Sequence, residues 1–472
     1  MIPLVQFPEL VQHYASHFDN VFSPQALIQF ERYISGLIVS ENKTIEGINR
    51  LFVFESRNQS SLNRMINESP FSLQALNRTR LGLLNSLTGT QMKPNGVLSL
   101  DDTLLIHFGK QFEQIALLFD HTQRCYVWAH CLVTVHYSDD QTDYPVLFQL
   151  WKPVDLVKLE QGLIAAGIQL KESKQALKTT DPHKWRLYLI GVWRRHLKKK
   201  PQVAELYDSK LQISKQLLEQ WVQEHPNEPL PVTFDTWYTQ PDFCHFLSET
   251  LKLAYVGTLG EGEQVVLKTG RKTLGDFANQ LKAEHLVAMK EKQPPVFKPI
   301  QISYKGEKER YYSYCNTHRI HNYGKLRLVI NYRQADLADN PVFYVSNRLR
   351  WQAPGITRIR RHRWPVEVYH EEGKAEGLDQ YQLRDFEAIE RHIALVAVVY
   401  SLLRAAQHDP DLRIRLQREL KFELEGSAPF WRRVTQAQSL WNLALFISAG
   451  LAQGQPLHAV MKPLLRAVCH LS

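Results

Sequence analysis

The chain has 472 residues, a net charge of +9 and 44% hydrophobic residues, which is enough for a large core shared by about two to four structural units. No apolar run reaches the ~18 residues of a membrane helix, and the first residues lack the layout of a signal peptide. The five cysteines form no CxxC pair, so we expect neither a disulfide framework nor a thiolate zinc site, and a reducing cytoplasm fits. The excess of positive charge favours a polyanionic partner.

The first region, residues 1–92, has apolar positions at helical spacing. A serine cap precedes a predicted helix over residues 24–38, and two short helical patterns and a longer one over 71–87 follow. Polar and basic residues of this region, among them Arg57 and Arg64, could meet phosphates and base edges. A plain helical bundle with a polar surface is the alternative.

Three strand-like runs follow, at residues 97–106, 125–137 and 144–151, and their short links predict an antiparallel meander. Asp101 and Asp102 interrupt the first run. A buried carboxylate is costly unless it is paired or binds a metal, so one aspartate is expected on a working face with its neighbour pointing away. The alternative is a strand that ends at Asp101.

Residues 152–228 are predicted to be helical, with a basic run at 193–200 that suits either a phosphate backbone or a solvated helix end. A strand over 231–238 then carries Asp235 towards its carboxyl end, and a helix and a further strand follow. Ligands commonly bind at the carboxyl ends of such strands.

Residues 265–343 read as β-hairpins with one helical insert, and they are rich in cations and aromatic residues. This mixture suits a nucleic-acid surface on which rings stack against bases, and it also suits an ordinary sheet face.

The stretch RWPVEVYHEEGK at 363–374 predicts a helix, because Pro365 suits a first helical turn. Helical spacing places Glu367, His370, Glu371 and Lys374 on one face, with Arg363 just ahead of it. A solvated charged face is the alternative.

Carboxylates that converge from distant segments can hold two Mg²⁺ or Mn²⁺ ions for phosphoryl transfer. Asp101 or Asp102, Asp235 and Glu367 are the candidates. The sequence contains no HExxH motif and no GxxxxGK[ST] loop, which disfavours a zinc enzyme and a nucleotide cofactor.

The order Asp, Asp, β-rich insertion, Glu resembles that of the DDE transposases of bacterial insertion sequences. The resemblance is greatest to the insertion-sequence-four-like group, whose signature is a tyrosine, an arginine, a glutamate and a lysine at fixed spacing. Arg363, Glu367 and Lys374 match that spacing, whereas Arg360 stands at the tyrosine position.

The two aspartate motifs also resemble those of the family. LSLDDT resembles the first motif and favours Asp101 over Asp102, and VTFDTWY resembles the second and supplies Asp235.

The resemblance implies an α/β fold, with a ribonuclease-H-like mixed sheet and flanking helices, a mainly β insertion, and helical regions at both ends. The corresponding divisions are a helical DNA-binding region at 1–92, a first part of the catalytic core at 93–260, the insertion at 261–348, the final core helices at 349–405 and a C-terminal helical region at 406–472.

It also implies a magnesium-dependent transposase that cuts double-stranded DNA at terminal inverted repeats and joins the 3′-OH ends to target DNA. A cut-and-paste route through a hairpin is expected, with a homodimer on two DNA ends in the bacterial cytoplasm at the nucleoid. The alternative is a catalytically inactive or domesticated DNA-binding protein of the same fold.

Roles for further residues follow from the same resemblance. Arg363 and Lys374 would contact phosphates, Arg360 could do so, and His370 would orient a phosphate or a carboxylate. Phe343 and Tyr344 are the candidates for stacking on a flipped base.

Overall fold

The computed structural model describes residues 2–53, 59–197 and 199–469. Its first part is helical, as predicted, and contains α1 (Glu9–Ala15), α2 (Pro24–Val39), α3 (Ile45–Asn49), α4 (Gln59–Asn67) and α5 (Leu73–Ser86). The Ser23 side chain accepts a hydrogen bond from the backbone N–H of Ala26 and so caps α2. These helices pack against a long apolar helix from the C-terminal half of the chain, α15 (Phe386–His408).

A mixed sheet forms the centre of the molecule. Its first strands are β1 (Val97–Ile106), β2 (Ala116–Asp120), β3 (Cys125–Ser138) and β4 (Asp143–Trp151), joined later in the chain by β5 (Val232–Phe234) and β6 (Tyr255–Leu259). The meander is confirmed, although β2 is an additional strand. Strand β1 continues through Asp101 to Ile106, so the alternative of a strand that ends at Asp101 is wrong.

Strand β5 is shorter than the strand predicted over 231–238. The Asp235 Oδ1 atom accepts hydrogen bonds from the backbone N–H groups of Trp237 and Tyr238, at 3.0 and 3.1 Å. This local side-chain turn competes with strand pairing and ends the strand at Phe234.

The β-rich insertion extends the same sheet. It contains β7 (Gln264–Leu267), β8 (Gly270–Thr273), β9 (Lys298–Tyr304), β10 (Glu307–Ile320), β11 (Gly324–Tyr332) and β12 (Val342–Ser346). Strand β12 pairs antiparallel with β6 of the core, giving twelve strands in one sheet among the described residues. The insertion is therefore held to the core by backbone hydrogen bonds.

Helices flank this sheet, as expected for a ribonuclease-H-like α/β fold. Between β4 and β5 lie α6 (Leu156–Ala165), α7 (Glu172–Gln175), α8 (Leu177–Thr180), α9 (Pro182–His196) and α10 (Lys210–Glu224). Later come α11 (Pro241–His245), α12 (Leu274–Lys290), α13 (Ala353–Arg361), α14 (Trp364–Ala375), α16 (Pro410–Leu420), α17 (Ala428–Ala452) and α18 (Leu457–Cys469).

Helices α6 to α9 form a helical subdomain with its own small hydrophobic core, which includes Leu159, Leu163, Trp185, Leu189 and Trp193. The predicted helical content of residues 152–228 is confirmed. The separate hydrophobic core of these helices was not predicted, because it depends on how they pack in three dimensions. No described helix is long and apolar enough to span a bilayer.

A buried charge network joins the sheet, α15 and the insertion. Asp143 on β4 contacts Arg404 at 3.1 Å and Lys305 at 2.8 Å, and its Oδ1 atom accepts a hydrogen bond from the Tyr400 hydroxyl at 2.7 Å. Burial alone would raise the pKa of Asp143, but the two cations hold it well below its usual range. Lys305 lies in the β9–β10 turn, so this network ties the tip of a hairpin to the core.

Replacing Arg404 with methionine is expected to lower the free energy of unfolding by about 3 kcal/mol, because it leaves part of a buried carboxylate charge without compensation. Urea denaturation at pH 7 measures the change. Arg418→Met, at an exposed position on α16, is the matched control and should stay within about 0.5 kcal/mol of the parent protein. Equal losses in the two variants would contradict a special role for the network.

Candidate active site

The parallel pairing of β1 with β5 brings the first two candidate acids together. Leu100 lies opposite Phe234 in this register, and the next residues along the two strands are Asp101 and Asp235. The negative charge of Asp235 raises the pKa of Asp101, as expected for neighbouring carboxylates. Both acids therefore lie at the carboxyl end of this strand pair.

Glu367 approaches the same place from α14. Arg363, at the start of that helix, bridges the two segments: its Nη1 atom lies 2.5 Å from Asp101 Oδ2, and its Nη2 atom donates to Glu367 Oε1. The Arg363 and Asp101 side chains are largely buried, and that of Glu367 is 31% exposed. The predicted helix thus delivers an acid and its counter-ion together.

The carboxyl group of Asp101 is electrostatically unusual. Burial raises its pKa to about 7, and the charges of Asp102 and Asp235 act in the same direction. The Arg363 guanidinium lowers the pKa but does not offset these effects. Such a group is readily ionised by a further cation near neutral pH.

Asp102 points to the opposite face of β1, as strand alternation requires. Its oxygens contact the Lys210 ammonium at 2.8 Å, the Tyr238 hydroxyl at 2.7 Å and the Cys131 thiol at 3.3 Å. These partners lower the pKa of Asp102 despite its burial. Asp102 is therefore a neutralised structural carboxylate in this arrangement, and Asp101 is the one that faces Glu367.

A cavity of about 320 Å³ opens beside Glu367, between the insertion and α14. Its lining combines cations with aromatic rings: Tyr311, Arg333, Tyr344, Arg360, Arg361, Arg363 and Trp364. Arg360 donates to the Thr258 hydroxyl at 2.7 Å, and its guanidinium carbon lies 5.8 Å from the centre of the Tyr344 ring. The cavity can accommodate an anion and a flat ring side by side.

The other residues singled out from the sequence occupy varied positions. His370 is buried 3.2 Å from the Thr134 hydroxyl, and burial lowers its pKa to about 3. Phe343 is only 3% exposed within the core, so its ring has no free face for a base. Arg64 is exposed on α4, and Arg57 lies outside the described residues.

The donor chemistry of this site fits a hard divalent cation, since three carboxylates approach from separate segments. Among residues 2–53, 59–197 and 199–469, however, no three acidic, histidine or cysteine side chains are close enough together to form a ready-made metal cluster. Arg363 accounts for part of this, because its guanidinium occupies oxygens of both Asp101 and Glu367. A metal held by Asp101 and Glu367 would have to replace these Arg363 contacts.

Sequence reasoning missed the partners of Asp102. Lys210 is the first residue of α10 and lies 108 positions from Asp102, so no local pattern connects the two. Tyr238 belongs to the same short motif as Asp235, and that proximity was the available signal.

Arg363→Met is expected to destabilise the protein by about 1–3 kcal/mol at pH 8, because Asp101 and Glu367 lose their shared donor. The loss should be smaller at pH 5: below a pKa of about 7 Asp101 is mainly protonated, so its ion pair with Arg363 no longer contributes. Denaturant unfolding at the two pH values, without divalent cations, measures this difference. Arg350→Met, at an exposed position, is the control, and a pH-independent loss in Arg363→Met would contradict the assignment.

A family of known proteins matches a large part of this sequence. The sequence matches the family described as DDE superfamily endonuclease over residues 18–272, more than half of the chain, and no curated protein matches it significantly. The matched region contains Asp101 and Asp235, while Glu367 lies beyond it. Two aspartates on adjacent parallel strands of a ribonuclease-H-like sheet, within a match of this length, lead to one conclusion: the chain belongs to the DDE superfamily endonuclease family.

Proposed function

We propose that this protein is a DNA transposase that cuts at terminal inverted repeats and joins the freed 3′-OH ends to target DNA. The observation that carries the proposal is the convergence of Asp101 and Glu367 on Arg363, with Asp235 on the neighbouring strand, in a member of a DDE endonuclease family. Asp101, Asp235 and Glu367 would hold two Mg²⁺ or Mn²⁺ ions. When bound, such ions supply positive charge that stabilises the attacking and leaving oxygens of phosphoryl transfer.

The side chains of the protein have separate tasks in this reaction. Arg363 exchanges its carboxylate contacts for a phosphate oxygen near the bond to be cut, which its planar guanidinium suits. Arg360 adds positive charge in the same cavity, and Lys374 contacts a phosphate further along the strand. His370, neutral and buried, keeps α14 in register with β3 through Thr134.

The insertion favours a cut-and-paste route through a DNA hairpin. Tyr344 on β12 and the exposed Trp364 line the cavity next to Glu367, where an extrahelical base could stack. Tyr344 is therefore the stronger candidate of the predicted pair, because Phe343 is buried.

Glu367→Gln tests the catalytic assignment. With Mg²⁺ and a supercoiled plasmid that carries the inverted repeats flanking the gene, the parent protein should nick and join the ends. The variant should lose more than ~100-fold in rate, because it lacks a ligand carboxylate. Gel analysis of nicked and joined products gives the rates.

Glu371→Gln is the matched control, since Glu371 is exposed four residues later on the same helix, and its rate should stay close to that of the parent protein. A Glu367→Gln protein that still cuts and joins would overturn the assignment. The second candidate function, a DNA-binding protein without catalysis, is favoured by Arg360 at the usual tyrosine position. It predicts duplex binding by the parent protein with no metal-dependent nicking.

We also propose a homodimer on two DNA ends. Helices α17 and α18 expose a run of large apolar side chains: Leu440, Trp441, Leu445, Leu451, Leu457, Leu465 and Val468. A surface of this kind, concentrated in one helical hairpin, is typical of an interface with a second copy.

Leu445→Glu should weaken such a dimer, because it places a charge in an apolar interface. Light scattering after size exclusion, with and without DNA, measures the mass. Ser173→Glu, at an exposed polar position of α7 in the helical subdomain, is the control. A parent protein that stays monomeric on DNA would contradict the dimer.

A further inference from the structure

A second depression, here called the lateral groove, lies on the Asp102 side of the sheet. It has a volume of about 690 Å³ and runs between α9 of the helical subdomain, the start of α10 and the turn after β5. Arg186, Arg194, Lys210, Trp237 and Lys374 define it. It is distinct from the cavity beside Glu367, which lies between α14 and the insertion.

The walls of the lateral groove carry positive charge from separate elements. Arg186 and Arg194 project from α9, two helical turns apart, and Lys374 comes from the last turn of α14. Neither Arg194 nor Lys374 forms an ion pair within 4.0 Å with any carboxylate in the described part of the chain. These cations are therefore available to phosphates.

The floor of the lateral groove does not repel an anion. Three acids line the groove, Asp102, Asp120 and Asp242. Asp102 is neutralised, because Lys210 and Tyr238 contact its two oxygens. The lining as a whole carries five cations against these three acids, so its net charge is positive. The cations are Arg186, Arg194, Lys210, Lys215 and Lys374.

An aromatic ring marks the end of the lateral groove nearest the active site. Trp237 is 44% exposed, and its backbone N–H donates to Asp235 at 3.0 Å, so the ring lies two residues from a proposed metal ligand. The Lys210 ammonium lies 4.6 Å from the ring centre, which holds the ring in place. Its exposed surface is a stacking platform.

We propose that the lateral groove binds one unpaired DNA strand, the stretch that adjoins the phosphate being cut, with a base on Trp237 and its phosphates against Arg186, Arg194 and Lys374. This inference rests on the proposed DNA substrate and adds to it a second path for the strand. Inside a duplex the neighbouring base pairs cover both faces of each base, whereas an unpaired strand leaves a face free for a ring, and the volume matches a small-ligand site rather than a whole duplex. In this proposal the helical subdomain forms the outer wall of a channel for the unpaired DNA strand.

The test is equilibrium binding in EDTA, which prevents cleavage, with fluorescent oligodeoxythymidylate of roughly 15 nucleotides and a duplex of the same length as probes. Trp237→Ala and Arg194→Glu should each weaken binding of the single strand about tenfold, while duplex affinity changes less than about twofold. Arg194→Glu should also reduce the salt dependence of single-strand binding.

Two controls match these variants in exposure and charge. Phe422→Ala removes an exposed aromatic ring from the segment between α16 and α17, and Arg433→Glu reverses an exposed charge on α17. Both should bind the single strand like the parent protein. Trp237→Phe should recover most of the affinity lost in Trp237→Ala, because it restores a stacking ring.

Unchanged single-strand binding in Trp237→Ala, or an equal loss on the duplex, would overturn the proposal. A fall in affinity for Phe422→Ala as large as for Trp237→Ala would do the same. This binding measurement needs neither a metal nor cleavage of the DNA. Failure of the groove proposal would therefore appear as unchanged single-strand affinity, whereas failure of the proposed reaction would appear as the absence of nicking.

Discussion

Negative charge in the middle of β1 constrains this structure. Two consecutive aspartates follow the four buried residues that begin the strand, and the fold neutralises them in different ways on its two faces. Asp102 has a lysine, a tyrosine and a thiol as fixed partners, whereas Asp101 shares a single arginine with Glu367. Both oxygens of Asp102 thus have fixed partners, whereas burial raises the pKa of Asp101 to about 7. That difference separates a structural acid from one that can take part in chemistry.

The rest of the architecture keeps these acids in place. Parallel pairing sets Asp235 beside Asp101, and α14 crosses the sheet with Glu367 and Arg363 at its first turn. The insertion continues the core sheet through the β12–β6 pairing, and the Lys305–Asp143 contact anchors its far hairpin. The insertion lies between Asp235 and Glu367 in the chain. Because it is fixed to the core at these two places, the positions of the two acids relative to each other are well defined.

The positions of the two cavities suggest how one site could serve more than one segment of DNA. The cavity beside Glu367 is bounded by the insertion, and the lateral groove is bounded by the helical subdomain. Both lie next to the acids, and both combine cations with an accessible ring. The insertion thus forms a wall of the cavity beside Glu367, and the helical subdomain forms a wall of the lateral groove, on either side of the same acids.

Much of the site could be predicted from the chain, because its signals are local. The spacing from Arg363 to Lys374, the apolar run around Asp101 and the position of Asp235 at the end of a strand each depend on a few neighbouring residues. The shorter β5 and the extra strand β2 were not predicted, since side-chain turns and edge pairing leave weak traces in sequence.

The sequence by itself determined the order of the acids, the elements that carry them and the resemblance to a DDE family. Only the tertiary structure decided that Asp101 rather than Asp102 faces Glu367, that Arg363 bridges two acids, and that Phe343 is buried. These facts depend on strand register and on contacts between residues more than a hundred positions apart. No local pattern encodes such contacts, because burial and charge compensation are properties of the assembled core.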